Sequence, residues 1–288
     1  MRNIAFFLSL LLMIACKQTE KKEVNINEQS ENRIVSASGA ISEIIFALGR
    51  ADDIVAVDFT STYPNELNNL PNIGYRNQIN AEGVLSFNPN WLFTENAYID
   101  EDVLQQLKSV GLKVNVLDKP QSVEASKALI STMGNLLDEE EKADSIIQSL
   151  NNELKDLEAI TSKISDKASV AFIMVRGPET VFLAGENSFA SNFIRLAGAE
   201  FAGLKEGNFR PLTPEALISL NPDFILLFES SLESVGGVEG LSRITGITET
   251  KAWEKQQIIG MDGNLISGFG PRIAQAALEL HQKIYTLE

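Results

Sequence analysis

The chain is poor in the side chains on which most enzymes and metal sites depend. Its 288 residues include one histidine and one cysteine. Zinc and manganese centres draw on several His or Cys donors, and a Ser-His-Asp relay needs a histidine beside its nucleophile. His281, far along the chain from any strand end, fits neither role and reads as a surface residue of the last helix. No GxxxxGK[ST] or GxGxxG loop occurs, so nucleotide chemistry lacks its phosphate cradle. Gly268-Phe-Gly270 is too short a match to replace one. Positive charge is also scarce, with 24 Lys and Arg against 39 Asp and Glu and a formal charge of −15. So acidic a protein is a poor partner for nucleic acid or an anionic membrane face.

Long hydrophobic runs are missing too. The one apolar stretch, Ile4 to Ile14 after Arg2, is too short for a comfortable transmembrane helix and reads as a signal peptide over residues 1–15. It ends in Met13-Ile-Ala-Cys16, which resembles a bacterial lipobox with Met13 where Leu is usual. A lone cysteine in a chain bound for an oxidising compartment has no disulfide partner, and lipid attachment at Cys16 gives it a use. Cleavage before Cys16 removes one positive charge, Arg2, and takes the formal charge from −15 to −16. Residues 16–31 then form a lipidated polar tether that holds the protein on the exported, periplasmic side of the cell envelope.

What the chain does have is a repeat. Asn80-Ala-Glu-Gly-Val-Leu-Ser-Phe-Asn-Pro-Asn90 recurs as Thr213-Pro-Glu-Ala-Leu-Ile-Ser-Leu-Asn-Pro-Asp223. Each copy predicts a short helix capped by Asn80 or Thr213, with Glu in its first turn and Asn-Pro after it, running into an apolar strand. Around both copies strand-like and helix-like segments alternate, which predicts an α/β fold of two lobes, each a parallel-type sheet flanked by helices. The lobes are expected over 32–120 and 167–288, with room for two packed cores. Residues 121–166 bridge them. There Ala143, Ile146, Ile147, Leu150, Leu154, Leu157 and Ile160 recur at three- and four-residue spacing, so a long linker helix is expected over 139–162. A stiff crossover of this kind predicts small lobe movements on binding.

Parallel sheets present ligands on the loops after their strands. In this chain those loops are Ser36-Ala-Ser-Gly39, Asp58-Phe-Thr-Ser-Thr-Tyr-Pro64, Asn72-Ile-Gly-Tyr-Arg76, Arg176-Gly-Pro178, Ser230 to Gly237 and Gly263 to Arg272. Aromatics, hydroxyls and the arginines Arg76, Arg176, Arg210 and Arg272 suit a flat apolar ligand that carries carboxylates. No nucleophile has a base beside it, which weighs against an exported α/β hydrolase.

Seven phrases resemble the haem-binding proteins of bacterial ABC importers, within the wider group of cobalamin- and siderophore-binding proteins. They are Arg33-Ile-Val-Ser36, Thr60-Ser-Thr-Tyr-Pro64, Asn72-Ile-Gly-Tyr75, Ala81-Glu-Gly-Val-Leu85, Pro214-Glu-Ala-Leu217, Val235-Gly-Gly-Val238 and Gly268-Phe-Gly-Pro-Arg272. The resemblance implies a substrate-binding component without catalytic activity or catalytic cofactor. Haem would be its transported ligand, and a dimeric permease with its ATPase would be its partner. A cobalamin- or ferric-siderophore-binding protein of the same fold is the alternative.

The resemblance also places roles. Tyr75 falls where the haem branch supplies a tyrosinate to iron, and a phenolate is a hard donor suited to ferric haem. The family more often carries Arg two places after that tyrosine, where this chain has Asn77, while Arg76 follows Tyr75 directly. From the residues alone, Tyr75 fits equally a turn aromatic half-covered by a loop. Arg272, at the start of the last helix, and Arg176 are candidates for the propionates, and Phe269 for packing on the porphyrin. Phe269 also fits a core position. Glu82 and Glu215, one on each lobe, fall where the group docks on arginines of its permease; taken alone, each also favours its own helix N-terminus.

Overall fold

A computed structural model describes residues 32–177 and 179–286. The expected signal peptide, Cys16 and the tether lie outside the described residues. The N-terminal half follows the alternation read from the sequence: β1 (Ile34–Ala37), α1 (Gly39–Ala47), β2 (Ile54–Val57), α2 (Ala81–Leu85), β3 (Trp91–Glu95), α3 (Glu101–Ser109) and β4 (Lys113–Leu117). Its four strands pair in the order β2-β1-β3-β4, all parallel. The central strand β1 is wholly buried, as expected of a parallel strand covered on both faces.

Two helices follow, α4 (Val123–Leu136) and α5 (Glu140–Thr161). With 22 residues, α5 is about 33 Å long. Its buried stripe runs through Ala143, Leu150 and Leu157, with Ile146, Ile147 and Leu154 half-buried against the same core. Ile160, expected on that stripe, lies exposed in the last turn. The helices approach closely at Gly134, where a Cβ would stand 2.5 Å from that of Ala143.

The C-terminal half contains β5 (Ser169–Val175), β6 (Val181–Ala184), α6 (Phe189–Leu196), β7 (Glu200–Phe201), β8 (Phe209–Pro211), α7 (Pro214–Leu220), β9 (Phe224–Phe228), α8 (Glu229–Val235), α9 (Lys251–Glu254), β10 (Ile258–Met261), α10 (Gly263–Ser267) and α11 (Ile273–Tyr285). The strands run β10-β9-β5-β6-β8, and β7 pairs with β5. Strands β10, β9, β5 and β7 are parallel, whereas β6 and β8 are antiparallel. The parallel-type sheet expected here thus carries two short antiparallel strands, β6 and β8, at one edge. The antiparallel strands are three or four residues long, and α6 and β7 lie between them in the chain.

Both copies of the repeat form the expected helix. Asn80 accepts a hydrogen bond from Gly83 N at 2.8 Å to cap α2, and Thr213 accepts one from Ala216 N at 3.2 Å to cap α7. Glu82 and Glu215 sit in the two first turns. Asn221, at φ 40, ends α7 in the left-handed conformation that Asn tolerates.

The cores of the two halves are continuous. One cluster joins Ile34, Ile41 and Phe93 of the first half to Phe172, Phe193, Leu226, Ile273 and Leu280 of the second, with a smaller satellite cluster in each half. His281, expected at the surface, is 6% exposed, with Nδ1 3.0 Å from Ala197 O. Among the described residues no helix is long and apolar enough to cross a membrane.

Candidate ligand-binding site

The carboxyl ends of both sheets open on one cleft of about 1120 Å³. Ends of β1, β2, β3 and β4 contribute Gly39, Asp58 to Thr62, Glu95, Tyr98 and Lys119, and ends of β5, β9 and β10 contribute Met174, Arg176, Phe228 to Ser230 and Asp262 to Asn264. This is where loop backbone and helix N-termini place ligands in parallel α/β sheets. Gly39 is needed at one corner, since a Cβ there would lie 2.6 Å from Thr60 O.

On the N-terminal side, Tyr75 stands 36% exposed in the cleft. Arg76 Nε donates to its hydroxyl oxygen at 3.0 Å. Phe59, 70% exposed, meets the Tyr75 ring edge-on at 6.3 Å, and Tyr98 meets it edge-on at 5.9 Å. The Arg76 guanidinium lies 5.5 Å from the Tyr75 ring centre and 5.2 Å from that of Tyr98.

Beneath them sits a buried carboxylate. Asp58, 1% exposed, accepts hydrogen bonds from Thr60 N at 3.1 Å, Thr60 Oγ1 at 2.7 Å, Ser61 Oγ at 2.6 Å and the Tyr98 hydroxyl. With four donors its charge is tolerated in the interior. Burial, and then the Asp58 charge, push the Tyr98 phenol far above its ordinary value, so Tyr98 stays protonated. Glu95, also buried, accepts from Ser38 Oγ at 2.6 Å, and Lys119 Nζ lies 4.0 Å from it.

The opposite wall is aromatic. Phe189 and Phe228 are parallel at 6.0 Å, Phe209 lies 5.9 Å from Phe189, and buried Phe172 packs edge-on behind all three. Met174 joins this wall, and Arg176 is exposed at its rim. A polar N-terminal face, with Arg76 and Lys119 beside buried Asp58 and Glu95, opposite a phenylalanine wall edged by Glu229, Glu233 and Asp262, suits a flat molecule with one metal-binding edge.

The structure brings together Tyr75, Arg76 and Arg176 of the residues singled out in the sequence. Two others are corrected. Phe269 is 1% exposed at φ 46, packed in the shared core, and does not line the cleft. Arg272 is already occupied. Its Nε and Nη2 donate to Glu43 Oε1 and Oε2 at 2.8 and 2.9 Å, and its guanidinium lies 3.3 Å from the centre of the Tyr63 ring. It lines a smaller cavity of about 500 Å³ with Thr62, Tyr63 and Asn68. Arg210 is exposed on β8 outside the cleft lining. Glu82 and Glu215 are both exposed and form no ion pair among the described residues. Sequence reasoning missed the Asp58–Tyr98 pair and the phenylalanine wall. Asp58 was within reach as the first residue after β2, but Tyr98 has no local signal.

Two α/β halves presenting a wide cleft at their strand ends, one face polar and the other aromatic, define a two-lobed ligand-binding protein. The chain belongs to the periplasmic binding protein family, whose model matches residues 34–265. Among solved structures it is similar to the periplasmic haem-binding protein RhuT from Roseiflexus sp. RS-1 in its apo form, at 34% identity and a TM-score of 0.85. That match covers 88% of this chain and 98% of the other. The periplasmic haem-binding protein HutB of Vibrio cholerae is similar at 29% identity and a TM-score of 0.80, covering 88% of this chain and 99% of that one. An uncharacterized ABC transporter substrate-binding lipoprotein of Bacillus subtilis (strain 168), YvrC, is 27% identical over 94% of this chain and 85% of its own length.

Proposed function

We propose that the protein is the substrate-binding component of an ABC importer and captures haem in the cleft, with Tyr75 as donor to the ferric iron. The observation that carries this reading is the Tyr75 phenol, exposed in the cleft with Arg76 Nε at its oxygen, facing a wall of Phe189, Phe209 and Phe228. The similar solved structures named above are haem-binding proteins, which supports the same ligand. The porphyrin would lie against the phenylalanines, where stacking favours a flat π surface. Its propionates would meet the rim cations Arg176 and Lys119. Phe269 and Arg272, with no surface in the cleft lining, take no part in this arrangement.

Haemin added to the soluble form lacking residues 1–16 is expected to give a saturable Soret band at micromolar or lower concentration. Equal concentrations of cobalamin or a ferric siderophore are expected not to displace it. Displacement by either would move the assignment to that ligand.

Export, cleavage before Cys16 and lipid attachment there would anchor the chain at the periplasmic side of the membrane. Glu82 and Glu215, at matching places in the repeat and free of ion pairs among the described residues, would meet arginines on the two copies of the permease, whose ATPase supplies the energy. Reversing both charges (Glu82→Lys with Glu215→Lys) is expected to lower haem-stimulated ATPase activity of the reconstituted importer at least about tenfold, with haemin affinity unchanged. Undiminished activity would remove the docking role.

A further inference from the structure

We propose that Tyr98 is the positioning residue of the site: its ring, anchored from below by Asp58, holds the Arg76 guanidinium at the Tyr75 oxygen. This rests on the reading of Tyr75 as ligand donor and adds the group that orients it. Tyr98 and Asp58 are 40 positions apart and come from the ends of β3 and β2, the strands on either side of β1. Asp58 is itself fixed, through three further donors from Thr60 and Ser61. The Tyr98 hydroxyl proton is committed to that carboxylate, so the residue stands 5.9 Å from Tyr75 without competing with it as a donor.

Arg76, by contrast, is an exposed, flexible side chain whose one hydrogen bond among the described residues is the bond to Tyr75. A single exposed hydrogen bond does not fix a side chain with this much rotamer entropy. What restricts it is the pair of rings, and of the two only Tyr98 is buried and anchored. Cation–π attraction from a half-desolvated ring is strong enough to set the population of the bound rotamer.

The test uses ¹⁵N-labelled protein and haemin. In the ligand-free protein the Arg76 Nε–H resonance, assigned by its loss in Arg76→Lys, is expected to be ordered, with an order parameter near about 0.8. In Tyr98→Leu it should fall below about 0.6, while Tyr98→Phe, which keeps the ring but loses its bond to Asp58, should lie between Tyr98→Leu and the parent. With haemin bound, Tyr98→Leu is expected to weaken affinity about fivefold and move the tyrosinate-to-iron band as Arg76→Ala does. In the Arg76→Ala background it should add nothing further. An unchanged Nε–H signal in Tyr98→Leu, or losses that add independently to Arg76→Ala, would overturn the proposal. If Tyr98→Leu fails to fold, Tyr98→Phe decides, because an Arg76 Nε–H signal unchanged from the parent there would show that the anchored ring is not the holder. Failure of the haem reading shows separately, as a parent protein with no Tyr75-dependent band, and leaves the ligand-free measurement standing.

Discussion

Tyr75→Phe is expected to abolish the tyrosinate-to-iron charge-transfer band of the haemin complex and to weaken binding about 100-fold or more. Even partners one shell removed from a metal ligand cost 10–100-fold, and here the donor atom itself is lost. The substitution removes one oxygen and keeps the ring, so the edge contacts with Phe59 at 6.3 Å and Tyr98 at 5.9 Å persist. The phenylalanine wall is untouched, and residual apolar binding of haemin is expected without axial coordination. Arg76 loses its acceptor, since its Nε–H is directed at the missing atom. Absorption and resonance Raman spectra of the ferric complex check this outcome. An unaltered spectrum in Tyr75→Phe would place the iron donor elsewhere and remove the central assignment.

Arg272→Ala should carry a substantial stability loss. The residue forms a two-bond fork with Glu43 and covers Tyr63, joining the last helix to the first across 229 positions. Removing it leaves the Glu43 carboxylate, 9% exposed, without its cation. Breaking a fully buried pair costs about 3–5 kcal/mol. The side chains here are 22% and 11% exposed, so about 2–3 kcal/mol is appropriate after solvent screening. For a domain of this size that lowers Tm by roughly 4–10 °C. Glu43→Gln in the same chain should recover much of the loss, because it removes the unpaired charge. Thermal unfolding of the single and double variants measures both. A shift under about 1 °C in Arg272→Ala would mean that the fork contributes little, and haemin affinity is expected to hold in any variant that folds.

The elements that were legible in the sequence are those that carry their own periodicity or punctuation. The repeated capped helices, the buried runs of β1 and β9, and the three-four stripe of α5 each announce themselves within a dozen residues. Strands β6 to β8 do not, being only two to four residues long, with β6 and β8 paired antiparallel at the edge of a mostly parallel sheet. The site divides along the same line. Tyr75, Arg76 and Arg176 follow strands or turns, and all three line the cleft. Phe269 also lies in such a loop, but its left-handed backbone turns the ring inward. The partner of Arg272, Glu43, lies 229 positions away, so their fork leaves no local trace in the sequence. His281 was recoverable: it lies four residues after Ala277 and eight after Ile273 on the buried face of α11. The Asp58–Tyr98 pair arises only once β2 and β3 flank β1.

Arg76 is held at φ 48, a conformation open to glycine and costly by about 1–2 kcal/mol for a branched or long side chain. A designer seeking a hardier protein would choose glycine at this turn, and would gain thermal resistance while deleting the guanidinium at the phenol. At this position durability and ligand recognition are thus opposed, and selection for heat tolerance alone would erode the cargo site first.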